Sequence, residues 1–231
     1  MKVIGLIGGM SWNSSLEYYR LINQLVAEKM GGLHSANVIL YSLDFDVIER
    51  YQHHGHWEKV LDLLIQAGNA LKNAGADFLV LCTNTMHKVA DRLEEEVGLP
   101  LLHIVDATGE AVRMSGLHNI GLLGTRVTME ENFYISRLQE LYNIEVQIPT
   151  ADEMATIHRI IYDELCQGII KFASHRSCLG IIDGMITQGV QGIILGCTEL
   201  SLLIKQDDVD ITLFDTTRIH AEAAVKAALE Q

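Results

Sequence analysis

The chain has 231 residues, 48% hydrophobic and 20% charged, with 17 basic against 30 acidic side chains. At about 100–200 residues per domain this allows one large domain or two small ones, and no Pro-rich, Gly/Ser-rich or low-complexity stretch marks a linker. A net charge of −13 leaves no basic stripe to track phosphates, so nucleic acid is not an expected partner; a small acidic molecule can still be held locally by backbone N–H groups.

The first strand-like run, 3–7, begins too early for a charged leader and cleavage site, so no signal peptide is expected. No stretch approaches about 18 uninterrupted apolar residues, so no membrane span is expected either, and the location read is cytoplasmic. Further strand-like runs at 38–43, 78–82, 101–105, 120–123, 145–148, 192–195 and 211–214 follow in order. Between them lie helix-period segments at 14–29, 56–73, 87–96, 107–114, 129–142, 154–171, 177–188 and 218–229. This alternation implies right-handed βαβ units around largely parallel sheets. The chain also repeats itself. KVIGLIGGMS at 2–11 matches HNIGLLGTRV at 118–127, AGADFLVLCTNT matches QGVQGIILGCTE, and LLHIVDATGEAV matches TLFDTTRIHAEAAV, in the same order. In the third pair a strand ends in Asp-x-Thr, with Asp106 and Asp215 suited to cap the following helix. The expected fold is therefore α/β, with two similar Rossmann-like domains and parallel sheets. One domain takes 1–115 plus 210–231 and the other 116–209.

Parallel α/β sheets bind ligands at the carboxyl ends of their strands, where the Gly-x-x-Gly turns and both Cys-Thr segments fall. GLIGGMSW lacks the second-position Gly of a dinucleotide loop and the Gly-Lys-Ser/Thr of a P-loop, and reads as a tight strand-to-helix turn. His53, His54 and His56 have no carboxylate at ligand spacing and read as a solvated turn, so no metal site is expected. Cys82, Cys166, Cys178 and Cys197 form no C-x-x-C and read as free thiols. Cys166 and Cys178 fall inside helical segments, as small core residues do. Cys197 stands where a strand ends and a helix is expected to begin at Glu199 or Leu200, and a thiol near a helix N-terminus has a lowered pKa. The repeat leaves two registers open, setting either Cys82 or Thr83 against Cys197.

GGMSWNSSLEYYRLIN, TNTMH, GCTEL and FDTTRIHAEAAV, in this order across nearly the whole chain, resemble the cofactor-independent aspartate/glutamate racemase family. GCTEL resembles its aspartate racemase branch. The resemblance implies pseudo-twofold-related domains with the active site in a cleft between them, a small amino-acid substrate, no pyridoxal phosphate, no other cofactor and no metal; homodimers are common in that family. Its first motif, Cys-Asn-Thr-x-His, reads Thr83-Asn84-Thr85-Met86-His87 here. Thr83 thus takes the first-cysteine position, and Cys82, one step back on a strand, faces the opposite way. The second cysteine is kept as Cys197. The implied catalytic pair is Thr83 and Cys197, and Met10, Ser11, Gln52, Asn84, Thr85 and Thr198 are implied to contact substrate. Family members use one thiol per face of Cα, the second cysteine working on the L-isomer. A thiol has a pKa near about 8.5, whereas a Thr hydroxyl is a far weaker acid, so the exchange at position 83 implies a preference for L-substrates. Arg126, just past the GLLG strand, is a candidate partner for a side-chain carboxylate. Two other readings stay open: a single-cysteine decarboxylase or isomerase of the same superfamily, and a non-catalytic binder of small carboxylates.

Overall fold

Two sheets of four parallel strands organise residues 1–230, the part that the computed structural model describes. The first half runs β1 (Ile4–Gly8), α1 (Trp12–Met30), β2 (Val38–Ser42), α2 (Phe45–His53), α3 (Trp57–Asn73), β3 (Phe78–Leu81), α4 (Ala90–Val97), β4 (Leu101–Leu102) and α5 (Ile104–Ser115). The second runs β5 (Asn119–Gly124), α6 (Arg126–Glu130), α7 (Asn132–Tyr142), β6 (Glu145–Gln147), α8 (Ala151–Asp163), α9 (Phe172–Thr187), β7 (Gly192–Gly196), α10 (Leu200–Leu203), β8 (Thr212–Asp215) and α11 (Thr216–Leu229). The sheet orders, β2-β1-β3-β4 and β6-β5-β7-β8, are the same order written twice. This is the α/β fold that the alternation and the internal repeat imply.

Strand β1 reads IGLIG and β7 reads GIILG, and every residue of both is buried. Unbroken apolar runs of this kind belong to parallel strands covered on both faces. On one face of the first sheet Ile7, Leu79 and Leu81 pack with Val60, Leu64 and Leu71 of α3 and Leu93 of α4. On the other, Ile4, Leu6, Phe78 and Val80 pack with Tyr18, Ile22 and Val26 of α1 and with Ala221, Ala224, Val225 and Ala228 of α11. In the second sheet Leu123, Ile193 and Leu195 meet Ile157, Ile160 and Ile161 of α8 and Ile182 and Met185 of α9.

The chain divides into two compact units, one of Met1–Ile104 with the chain from His220 onward, the other of Val105–Ile219. This differs from the division expected from the repeat. Strand β8 pairs with β7 through Gly192↔Thr212 to Leu195↔Asp215, so it belongs to the second sheet and not to the first. Helix α5 likewise sits in the second unit, where Arg137 donates to both oxygens of Asp106 at 2.6 and 2.7 Å. Gly109 of α5 lies against the Tyr142 ring so closely that a Cβ would stand 2.4 Å from it. Only the helix α11, through its apolar face from Ala221 to Ala228, returns to the first unit. Asp215 caps it, accepting from Thr217 N–H at 3.0 Å and Arg218 N–H at 3.3 Å; Asp106 lies inside the first turn of α5.

Two helical expectations also shift. Residues 45–53 form α2, a helix that sequence periodicity does not announce because Ile48 is its one fully buried side chain. The segment expected to run unbroken over 154–171 stops at Asp163, followed by a single turn at 165–167 and Gly168 at φ 74°. No helix among the described residues is long and apolar enough to cross a membrane.

Candidate active site

In the first unit, the expected residues gather at the carboxyl ends of β1 and β3, which are adjacent strands paired from Ile4↔Phe78 to Ile7↔Leu81. Gly9 makes the turn out of β1 at φ 90°, and a Cβ there would stand 2.1 Å from the Leu43 carbonyl oxygen, so the position excludes any side chain. Met10 and Ser11 follow, both buried. Ser11 is the N-cap of α1, its hydroxyl accepting from Ser14 N–H at 3.5 Å. Ser15 braces the turn from inside the helix: its hydroxyl accepts from Gly9 N–H at 2.7 Å and donates to the Ser11 carbonyl at 3.1 Å.

Past β3, Cys82 packs with Phe78 and Val80 in the core shared with α1 and α11, and burial pushes its thiol far up. Thr83, Asn84 and Thr85 come next, all buried. Their backbone is held by His87. Ile104 N–H donates to His87 Nε2 at 3.1 Å, so Nδ1 carries the proton and donates to the Thr83 carbonyl at 2.8 Å. Behind His87 the rings of His103 and His220 lie 4.7 and 5.7 Å away. His220 Nε2 donates to the Leu102 carbonyl at 2.8 Å, which leaves Nδ1 to accept from the Tyr18 hydroxyl at 2.8 Å. Burial holds His87 well below its ordinary pKa, with His103 adding to the effect, and holds His220 at about 4. Both rings are therefore neutral and structural near neutral pH. Gln52 lies near the end of α2, half-buried.

In the second unit the matching sheet end carries Cys197 and Thr198, both buried, directly after β7. Gly124↔Gly196 pairing sets the end of β5 beside them, and with it Thr125 and Arg126. Thr125 caps α6 through Thr128 N–H at 3.3 Å. Arg126 lies on the surface, its Nε 3.6 Å from Glu130. The neighbour that sequence reasoning overlooks is Glu199. The Cys197 thiol donates to Glu199 Oε2 at 3.1 Å, and the Thr198 hydroxyl donates to the same oxygen at 2.6 Å. The signal was present in GCTEL as an acidic residue two positions past the cysteine, but distance along a chain does not say which way a carboxylate turns.

This reverses one expectation about the thiol. Helix α10 is a single turn, too short to build the N-terminal field that lowers a thiol pKa. Burial and then the Glu199 charge push Cys197 well above its ordinary value, while its bond to the Glu199 backbone only partly opposes them. Of the other thiols, burial raises Cys178, inside α9, to about 11, and Cys166 sits half-buried on the turn after α8. His53 ends α2, and the rings of His54 and His56 stack at 5.9 Å on the exposed corner beyond it. No group of three His, Cys, Asp or Glu among the described residues is placed to hold a metal ion.

Comparison with known proteins supplies the family. A crystal structure of a candidate Asp/Glu racemase from Yersinia pestis is 53% identical, with a TM-score of 0.93 and full coverage of both chains. An aspartate racemase homologue from Pyrococcus horikoshii is 37% identical, with a TM-score of 0.86, again over the whole of both chains. The glutamate racemase of Aquifex pyrophilus is 24% identical over 64% of this chain, and the match spans 56% of that enzyme's length. The profile of the Asp/Glu/hydantoin racemase family matches residues 7–224, and the chain belongs to that family.

Proposed function

We propose that the protein is a cofactor-independent amino-acid racemase that works with one thiol. Cys197 is the main base for the Cα proton, Thr83 stands in the place of the second thiol, and L-substrates are favoured. The observation that carries this reading is the disposition of the cysteines. Cys82 is spent on the core of the first sheet, whereas Cys197 stands at the carboxyl end of β7 with a carboxylate on its sulfur.

Racemisation removes the Cα proton from one face and returns one to the other. The carbanion formed in between needs donors aimed at the substrate carboxylate, where its charge spreads. Asn84, Thr85, Thr198 and Ser11 are the donors we assign, with Gln52 beside them and Met10 as apolar lining. A Thr83 hydroxyl is too weak an acid to form an alkoxide base unaided, but it can relay a proton from water or donate a hydrogen bond. The racemase cannot move an equilibrium constant near one. The preference is therefore a difference in turnover and in KM that leaves kcat/KM balanced between the enantiomers. Aspartate and glutamate are the first substrates to expect, with Arg126 as the cation for the side-chain carboxylate; neutral polar amino acids follow if Arg126 does not reach it.

The test is Cα-hydrogen exchange in D₂O followed by NMR, without pyridoxal phosphate, on L- and D-aspartate, glutamate and neutral polar amino acids. Exchange of L-substrates that vanishes in Cys197→Ala is the expected result. Full activity in that variant, or equal saturating rates from both enantiomers, removes the one-thiol mechanism. The single thiol also fits a decarboxylase, and carbon dioxide release from a malonate substrate with no amino-acid exchange would select that activity instead.

A further inference from the structure

We propose that the corner between α2 and α3 is a binding site for a phosphate dianion, either the free ion or a phosphate monoester. The site stands apart from the racemase reading, since none of the residues that form it is assigned to that chemistry. A cavity of about 300 Å³ opens there, walled by Arg50 and Tyr51 of α2, His54 and His56 of the HHGH turn, and Lys59 of α3. The chain carries 30 acidic against 17 basic side chains, yet among the described residues no Asp or Glu lines this cavity.

The walls are cationic and aromatic. Arg50 turns its Nε to Asp46, 3.2 Å from Oδ2, and both side chains are more than half exposed, so water screens that pair and the two Nη groups stay open to a ligand. Lys59 makes no ion pair among the described residues; its Nζ lies 5.2 Å from the centre of the Tyr51 ring. The His54 Nδ1 donates to the Arg50 carbonyl at 2.7 Å, which leaves Nε2 as the ring's remaining polar atom, and the His54 and His56 rings stack at 5.9 Å and 21°. Basic residues suit the end of α2, where they answer the partial negative charge of its last carbonyls, so Arg50 and His53 by themselves ask for no ligand. The start of α3 is the opposite case. Its first turn is the positive end of the helix dipole, and Lys59 adds a cation to it. His56 stands at the N-cap without a side-chain capping bond, where Ser, Thr, Asp or Asn would make one. Local rules are broken in this way where a sequence serves a ligand rather than its own helix. A bound dianion relieves the conflict. The Arg50 guanidinium offers a planar fork and Lys59 a point charge, and phosphate has oxygens for both, whereas a single carboxylate leaves one cation unanswered.

The experiment is isothermal titration of the full chain at low salt with inorganic phosphate, adenosine monophosphate, adenosine and succinate. Binding of at least one phosphate with a Kd of about 1 mM or tighter is the expected result. Arg50→Gln and Lys59→Gln should each weaken it about tenfold, while Arg113→Gln, a surface cation of the second unit, should leave it unchanged. Adenosine monophosphate held about tenfold tighter than inorganic phosphate identifies a nucleoside monophosphate stacked on the rings, and equal affinity identifies the free ion. No phosphate binding tighter than about 10 mM overturns the proposal. So does binding that survives unchanged in both Arg50→Gln and Lys59→Gln, because the anion then sits elsewhere. Succinate bound as tightly as either phosphate, or adenosine bound as tightly as its monophosphate, also overturns it, because the site then takes a dicarboxylate or the ring alone. Both substituted side chains are exposed, and an unchanged urea midpoint in each variant shows that a lost affinity is not lost folding.

Discussion

Position 83 is where one residue matters most for direction. Its backbone carbonyl accepts from His87 Nδ1 while His87 Nε2 accepts from Ile104 N–H, so the segment is pinned whichever side chain Thr83 carries. Thr83→Cys should therefore fold as the wild type does and restore a second thiol. Turnover of D-aspartate is expected to rise about tenfold or more, equivalent to about 1.4 kcal/mol of barrier; a D-direction rate no higher than wild type would show that the hydroxyl is not what limits it. Removing the pin has a different consequence. His87→Phe leaves a buried N–H and a buried C=O without their partner, at about 1–3 kcal/mol each. Urea titration should show a loss of about 2–4 kcal/mol, and a loss below about 1 kcal/mol would mean that neither bond stabilises the fold. The TNTMH string announces His87 as part of a motif, but its role as a brace depends on Ile104, which lies across β4 and cannot be paired with it from spacing.

At the scale of elements, the strands are legible because their apolar runs are long and their surroundings uniform: IGLIG and GIILG admit few other structures. Helix α2 is not, because one buried residue, Ile48, generates no periodicity over nine positions. Segment 154–171 reads as one helix because its apolar residues stay in phase, yet it breaks at Glu164, whose carboxylate accepts from the Ser174 hydroxyl at 2.5 Å at the start of α9. The tightest element junction is the turn from β1 to α1. Gly9→Ala has to place a Cβ into the Leu43 backbone at a positive φ, so it should cost at least about 2 kcal/mol, read as a lowered urea midpoint or loss of folded protein. By contrast, Arg92 donates to both Glu58 oxygens at 2.6 and 2.9 Å, but both side chains are more than half exposed. Arg92→Ala should leave the urea midpoint where the wild type has it; a clear drop in the same titration would mean that water screens this pair less than its exposure implies.

Across the whole molecule, acid stability follows from the buried imidazoles. His87 and His220 are neutral in the fold, with pKa values depressed by burial, and titrate near about 6.5 in the unfolded chain. As pH falls below that value the unfolded state binds protons that the folded state does not, so stability is full above about 6.5 and declines toward pH 4. Each histidine contributes a slope of about 1.4 kcal/mol per pH unit in that window. Urea midpoints at three pH values should fall accordingly, and His220→Gln should remove one histidine's share of the slope; midpoints that stay level from pH 6.5 to 4.5 would contradict the buried neutral state. The sequence by itself determined the α/β class, the doubled plan, the family and the identity of the residues at both strand ends, because apolar runs, glycine turns and contiguous motifs are local properties of a chain. Tertiary structure alone decided that β8 joins the second sheet, that α5 packs against α7 while α11 covers the first sheet, and that Glu199 turns its carboxylate onto the Cys197 sulfur. Those outcomes rest on hydrogen-bond register, packing and burial among residues distant in the chain or free to rotate, and spacing along a sequence does not encode direction in space.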